Sequence, residues 1–359
     1  MGRAEPSLLR GNRVEPKAGR NPITTHFLQC LCADENSLRF ITRSRARRIL
    51  KTLRHARVRF VRPEIEQVVE LIQRKDQKSL EQALALLQGT VFSFSMKVCG
   101  QRQDAEDTMQ EVLLKSVLDL PKFASPRALM VWLYKVAKTR CLMSRRRSKF
   151  APKEALSLEE LMPDRLDLQL LSGRAPGTPE TALVRRENAT RLRQAVQKLP
   201  PEYRLILVLH DMEELSAADI AEITGLRPGT IRVRLHRARM FVRKDLVRQE
   251  RQRTRQQRAE HAAPIPGHTR QRSCKKMFAE LSNYLDEHLD DGLCAELEKH
   301  LEGCEPCKAF LASLEETIEA CRNAPNEAPD ASAAAELRRQ VLSKYQEAMV
   351  RFASSMRTV

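Results

Sequence analysis

Residues 216–246, SAADIAEITGLRPGTIRVRLHRARMFVRKDL, constrain this chain more than any other stretch. Ser216 with Asp219 three residues on is an N-cap pair of capping-box type, and it opens a helix. Ile220 and Ile223 then share one apolar face, and Gly225 permits a sharp turn. Pro228 suits the first turn of a second helix, where the missing N–H costs nothing. From there Ile231, Leu235, Ala238 and Val242 fall on one side at helical spacing and should be buried. Arg232, Val233, His236, Arg237 and Met240 point the other way, with Arg234, Arg239 and Arg243 on the flanks. A basic, exposed helix after a glycine turn fits a helix-turn-helix whose second helix reads DNA.

Composition agrees with that expectation. The formal net charge of +17 favours a polyanionic partner. Aromatics make up only 4% of the 359 residues. Leu, Ala, Arg and Glu dominate, so the expected fold is all-α, divided among two or three domains. No apolar run approaches the roughly 20 residues a bilayer span needs. The N-terminal MGRAEPSLLRGNRVEPKAGR lacks a secretory core segment, so a cytoplasmic location with no membrane contact is expected. Nine cysteines in a reducing compartment are not expected to form a disulfide framework, and their spacing matters more than their number.

Taken in order, residues 1–62 read as a basic, disordered arm, in which His26, Cys30 and Cys32 look like a chance cluster. From 63 to 150 the pattern is helical. In DAEDTMQEVLLKSVLDL, Ala105, Met109, Val112, Ser116 and Leu120 form an inner stripe and leave Asp107, Gln110, Glu111 and Lys115 exposed. The next helix, ALMVWLYKVAKTRCLMSRRR, buries Val136 and presents Lys135, Lys138, Thr139 and Arg140, while Trp132 and Tyr134 are positioned to stack on bases. For Trp132 a core or cleft-lining place competes with that role. Residues 151–182 have linker composition, with an acidic first half, EALSLEELMPDRLD. After the helix-turn-helix unit (183–248), residues 249–272 read as a basic tether.

Charge then reverses. From Cys274 to about Asp330 acidic residues clearly outnumber basic ones, and within that span His300, Cys304 and Cys307 make an H-x3-C-x2-C cluster. On a helix His300 and Cys304 share a face, and the short step to Cys307 can close around one ion. Structural zinc prefers four protein ligands of N and S type. Cys274 is the best fourth ligand, with Cys294 and His288 as competitors. This module spans 273–325, and 326–359 add one amphipathic helix with Leu337, Val341, Tyr345, Met349 and Phe352 at helical steps.

Two stretches carry a family resemblance. DAEDTMQEVLL followed by WLYKVAKTRCLMSRRR resembles region 2 of the sigma-70 family, in its small extracytoplasmic-function (ECF) branch. LPPEYRLILVLHDMEELSAADIAEITGLRPGTIRVRLHRAR resembles region 4 of the same branch, in the right order. The resemblance implies that region 2 docks on the clamp of core RNA polymerase through Asp107, Gln110 and Glu111. It implies further that Trp132, Lys135, Lys138, Thr139 and Arg140 recognise and melt the −10 element of promoter DNA. Thr230, Arg232, Val233, His236 and Arg237, with Arg239 beside them, would face the −35 element, and the linker would thread through the polymerase. The C-terminal segment resembles the zinc-binding anti-sigma domain, with Cys274, His300, Cys304 and Cys307 as ligands of one zinc ion. Carried on the same chain as its target, it would act in cis by intramolecular contact with the sigma regions. The expectation is therefore a promoter-directing, non-enzymatic subunit of polymerase. The alternative is a helix-turn-helix regulator that acts without polymerase docking. A zinc enzyme fits poorly, because four ligands leave no open coordination position.

Overall fold

A computed structural model describes residues 62–74, 76–116, 119–123, 125–143, 156–163, 182–257 and 272–357. Regular structure among them is all helical. The basic arm with His26, Cys30 and Cys32, the Arg145–Arg147 cluster, most of the linker and the middle of the tether lie outside the described residues.

Four helices build the N-terminal bundle: α1 (Pro63–Gln73), α2 (Gln77–Cys99), α3 (Arg102–Ser116) and α4 (Pro126–Met143). Local chemistry sets their ends. Pro63 opens α1 at a position needing no amide hydrogen. Asp76 caps α2 by accepting from the Ser79 amide at 2.8 Å. Gly100 ends α2 in the left-handed region, at φ 76°. The predicted stripe of α3 is buried at Ala105, Met109, Val112 and Ser116, and Leu120 joins it from a short 3-10 turn, Leu120–Lys122. Phe92 and Phe94 lie fully inside the bundle, each contributing about 2 kcal/mol relative to exposure. In α4 the inward face is Leu129, Met130, Leu133, Tyr134, Ala137 and Cys141, and Val136 is only partly buried.

The packing of α2 on α4 also joins Cys99 to Cys141 by a disulfide, with Cα atoms 5.6 Å apart. One bridge among the described residues is not the disulfide framework that composition argues against. The two cysteines stand 42 residues apart in sequence, and only the helix packing makes them neighbours.

The helix-turn-helix unit comprises α6 (Ala182–Gln197), α7 (Pro201–Leu207) with its π-helical continuation Val208–Met212, α8 (Ala217–Thr224) and α9 (Pro228–Gln257); the single-turn α5 (Leu158–Leu161) precedes it in the linker. Ser216 caps α8 by accepting from the Asp219 amide at 3.1 Å, and Gly225 turns the chain at φ 74°. The second helix outlasts its expected end and carries the start of the predicted tether with it.

The C-terminal module contains α10 (Arg272–Leu285), α11 (Asp291–Gly303), α12 (Glu305–Arg322) and α13 (Ala331–Arg357). Among the described residues two apolar cores hold the helices together. The first is shared by the N-terminal bundle and the helix-turn-helix unit, and Cys321, Leu337 and Val341 of the C-terminal module join it. The second lies within the C-terminal module, around Phe278 and Phe310 packed edge to face at 4.7 Å, and it takes in Met240 of α9 and Leu161 and Met162 of the linker. The last helix therefore packs on the N-terminal bundle, where Gln88 donates to the Ala334 carbonyl at 2.8 Å. The Met349 and Phe352 side chains lie outside the described residues.

Candidate nucleic-acid interface and metal centre

Ile231, Leu235, Ala238 and Val242 of α9 are buried, as their spacing requires. The opposite face divides into two parts. Near the N-terminus of α9, Thr230, Arg232 and Val233 are exposed, Val233 by 50%, and Arg237 is half-buried. In helix-turn-helix proteins generally, the N-terminal end of the second helix is the part that contacts base edges. One turn on, the expectation of an open basic face fails. His236, Arg239, Met240 and Arg243 are all buried, because the C-terminal module covers them.

Arg239 is the clearest correction. Its guanidinium is 0% exposed and donates to Asp211 from Nη2 at 2.7 Å and from Nε at 2.8 Å. It also pairs with Asp286 of α10 at 2.7 Å. A guanidinium forked onto two carboxylates cannot also reach phosphate or base, so Arg239 ties the unit together. Burial alone would raise the Asp211 carboxyl, but Arg239 and then His210 hold it well below the usual carboxylate range. Arg243 is covered too, its guanidinium 3.8 Å from the Phe310 ring centroid and its Nε donating to Ser313 at 2.9 Å. His236 places Nδ1 2.9 Å from the Ser282 hydroxyl.

The α4 candidates also separate by environment. Lys135 and Thr139 are exposed, and Thr139 donates to the Lys135 carbonyl at 2.7 Å. Arg140 is exposed and pairs with Glu111 at 3.0 Å. Lys138 is half-buried and donates to the Ile223 carbonyl of α8 at 2.8 Å. Trp132 is half-buried against Phe123, with ring centroids 5.6 Å apart. Tyr134, expected to be available to bases, is instead buried, with its hydroxyl bonded to Glu213. On α3, Asp107 and Gln110 face outward, while Glu111 is half-exposed and also pairs with Lys115.

In the C-terminal module the ligand atoms of Cys274, His300, Cys304 and Cys307 all lie within 4.8 Å of one another. His300 Nε2 stands 3.2 Å from Cys307 Sγ. His300 lies in the last turn of α11, Cys304 is the residue between α11 and α12, and Cys307 lies in the first turn of α12, so the tight reversal gathers three donors. Cys274 near the start of α10 supplies the fourth. The competitors are elsewhere: Cys294 leans toward the Leu289 carbonyl, and His288 is exposed. Burial, followed by the adjacent sulfurs of Cys304 and Cys274, pushes the Cys307 thiol up. A divalent cation relieves that cost by stabilising thiolates, and three sulfurs with one imidazole are a donor set compatible with zinc.

Several residues that bind the molecule together were missed in the sequence. Asp211 and Glu213 interrupt the apolar run LILVLHDMEEL, and an acid inside such a run asks for a buried partner. Which partner, no local pattern says.

Comparison with known proteins agrees with this anatomy. Residues 84–150 match the sigma-70 region 2 family, residues 189–242 the sigma-70 region 4 family, and residues 274–308 a zinc-finger family. The ECF RNA polymerase sigma factor SigW of Bacillus subtilis is 28% identical over 182 residues, covering 51% of this chain and 96% of the relative. The RNA polymerase sigma-H factor of Pseudomonas aeruginosa is 29% identical over 185 residues, covering 50% of this chain and 93% of its own. The ECF RNA polymerase sigma-E factor of Haemophilus influenzae is 27% identical over 176 residues, covering 49% and 91%. The acidic module carries its own family match, over residues 274–308. Both sigma regions are thus present in order, all helical among the described residues, on a chain that belongs to the sigma-70 family as an ECF sigma factor extended by a C-terminal zinc-finger domain.

Proposed function

We propose that this sigma factor is held closed by its own C-terminal module and directs promoter-specific initiation once that module lets go. In the open form, region 2 docks on core RNA polymerase through Asp107, Gln110 and Glu111, and α4 meets the −10 element with Trp132, Lys135, Lys138, Thr139 and Arg140. The N-terminal end of α9 reads the −35 element with Thr230, Arg232, Val233 and Arg237, and His236 joins them on release. Arginine donated to a guanine edge is worth about 1–3 kcal/mol of discrimination. The chain supplies no catalytic group, since the chemistry of RNA synthesis belongs to the polymerase. It works where polymerase and promoter DNA are found, in the cytoplasm. One zinc ion on Cys274, His300, Cys304 and Cys307 fixes the fold of the regulatory module.

The observation that carries this reading is the contact between Lys138 of α4 and the Ile223 carbonyl of α8, at 2.8 Å. Elements about 25 base pairs apart are separated by roughly 85 Å of B-DNA, at about 3.4 Å per pair. Two regions whose helices touch cannot occupy both elements, so the closed chain is a resting form. The C-terminal module braces it from both sides, through Asp286 on Arg239 and through Ala334 on Gln88.

Run-off transcription with purified core polymerase tests the proposal, comparing the full chain with a version ending at Gln257. The shortened chain should initiate strongly and the full chain weakly. Equal activity would remove the regulatory role and leave the sigma assignment intact.

A further inference from the structure

The segment joining regions 2 and 4 has the composition of a solvated linker, yet part of it is built into the molecule. Leu161 and Met162 are 5% and 4% exposed. They belong to the same apolar core as Met240 of α9, Met277, Phe278 and Leu281 of α10, and Phe310 of α12. Leu156 packs there as well, and its amide donates to the Tyr203 hydroxyl at 3.3 Å. Lys244 of α9 donates to the Glu160 carbonyl, so α5 is pinned from the region 4 side as well. The acidic residues Glu159 and Glu160 are exposed.

We propose that α9 and the C-terminal module together form a seat for an apolar Leu-Met pair, and that the occupant is this chain's own linker. The reason is geometric. The seat has one wall from region 4 (Met240, Phe241) and one from the module (Met277, Phe278), so it exists only while the module is docked. Leu161 and Met162 bury apolar surface against both walls at once, and two such side chains supply docking energy that neither wall offers alone. The linker is therefore the third component of the closed state, and extracting it and releasing the module are one event. This deepens the autoinhibition proposed above by naming the segment through which release acts.

Hydrogen–deuterium exchange on the full chain tests it, comparing wild type with Leu161→Asp, Met162→Asp and the volume-conserving Leu161→Met. The aspartate variants should raise exchange at least about tenfold in α10 and in residues 236–244, while amides of α2 stay at wild-type rates. Leu161→Met should match wild type. Unchanged protection of α10 in the aspartate variants would overturn the proposal. So would a loss of protection extending through α2, because the linker would then be a general folding element. Run-off transcription on the same proteins separates the two ideas. A loosened module with no initiation from any form would retain the linker seat and reject the closed-sigma reading.

Discussion

The Tyr134 hydroxyl of region 2 donates to the Glu213 carboxylate of region 4 at 2.5 Å, with both side chains buried. Lys97 and Arg62 reach the same carboxylate at 2.9 and 3.0 Å. One acid thus receives a phenol, an ammonium and a guanidinium from the N-terminal side of the chain. Burial first, and Glu213 next, hold the Tyr134 phenol well above its ordinary range, so it stays a donor. The adjacent peptide packing is equally close: Arg204 of α7 donates to the Val98 carbonyl at 2.8 Å, and Gln197 donates to the Lys97 carbonyl at 3.0 Å.

Glu213→Ala removes the acceptor and leaves two cations facing an apolar seam. The closed form should lose about 3 kcal/mol, whereas Tyr134→Phe should cost only about 1 kcal/mol. Urea unfolding of the full chain measures both. Equal stability of Glu213→Ala and wild type would show that the carboxylate does not hold the two regions together.

Two arginines of one helix should behave in opposite ways. Arg239→Ala strands Asp211 and Asp286 and should lower stability by about 3 kcal/mol or more. Arg232→Ala, exposed, should leave stability within about 0.5 kcal/mol. In the chain ending at Gln257, it should instead weaken binding to a −35 duplex by roughly tenfold. Thermal unfolding and fluorescence anisotropy together read the contrast, and a reversed pattern would restore Arg239 to the DNA face.

Acid should loosen the module through His236. Burial, then Arg239 and Arg237 on its own helix, push its imidazole down to about 4, while Asp286 of α10 pulls the other way. The folded value lies below the solvated 6.5, so the unfolded chain binds more protons between the two. This contribution to stability is complete above about pH 6.5 and is lost as pH falls toward 4, up to about 3 kcal/mol. Thermal unfolding across that window should be steeper for wild type than for His236→Gln. Superimposable profiles would count against a buried neutral imidazole.

Removal of the metal should act on the module before the sigma regions. Cys304→Ser, or a chelator, should abolish bound zinc and loosen α10–α12, since binding energy at such a site is folding energy. Metal analysis beside circular dichroism checks it. A variant that keeps both zinc and helicity would displace Cys304 from the ligand set.

The link between Cys99 and Cys141 predicts a cross-linked peptide in a digest made without reductant. Replacing either by Ser should cost about 2–4 kcal/mol, mostly by freeing the unfolded chain. Peptide mapping that finds both residues alkylated under native, non-reducing conditions would refute the pairing.

Features that depend on neighbours along the chain are legible in the residues alone. Ser216 and Gly225 set the ends of α8 because a cap and a left-handed turn need only local atoms. The stripes of α3 and α9 followed from helical spacing, and His300, Cys304 and Cys307 came together because a short reversal confines them. Features that need a partner from afar emerge only when the helices pack. Arg232 and Arg239 look alike in sequence, and what separates them is Asp211 and Asp286, which burial turns from solvated charges into obligatory partners. Cys274 prevails over Cys294 because α10 begins where α11 turns into α12. Leu161 and Met162 leave the solvent because two distant helices meet around them. Propensity and capping act over a few residues, whereas burial is a property of the assembled core, and no single stretch contains it.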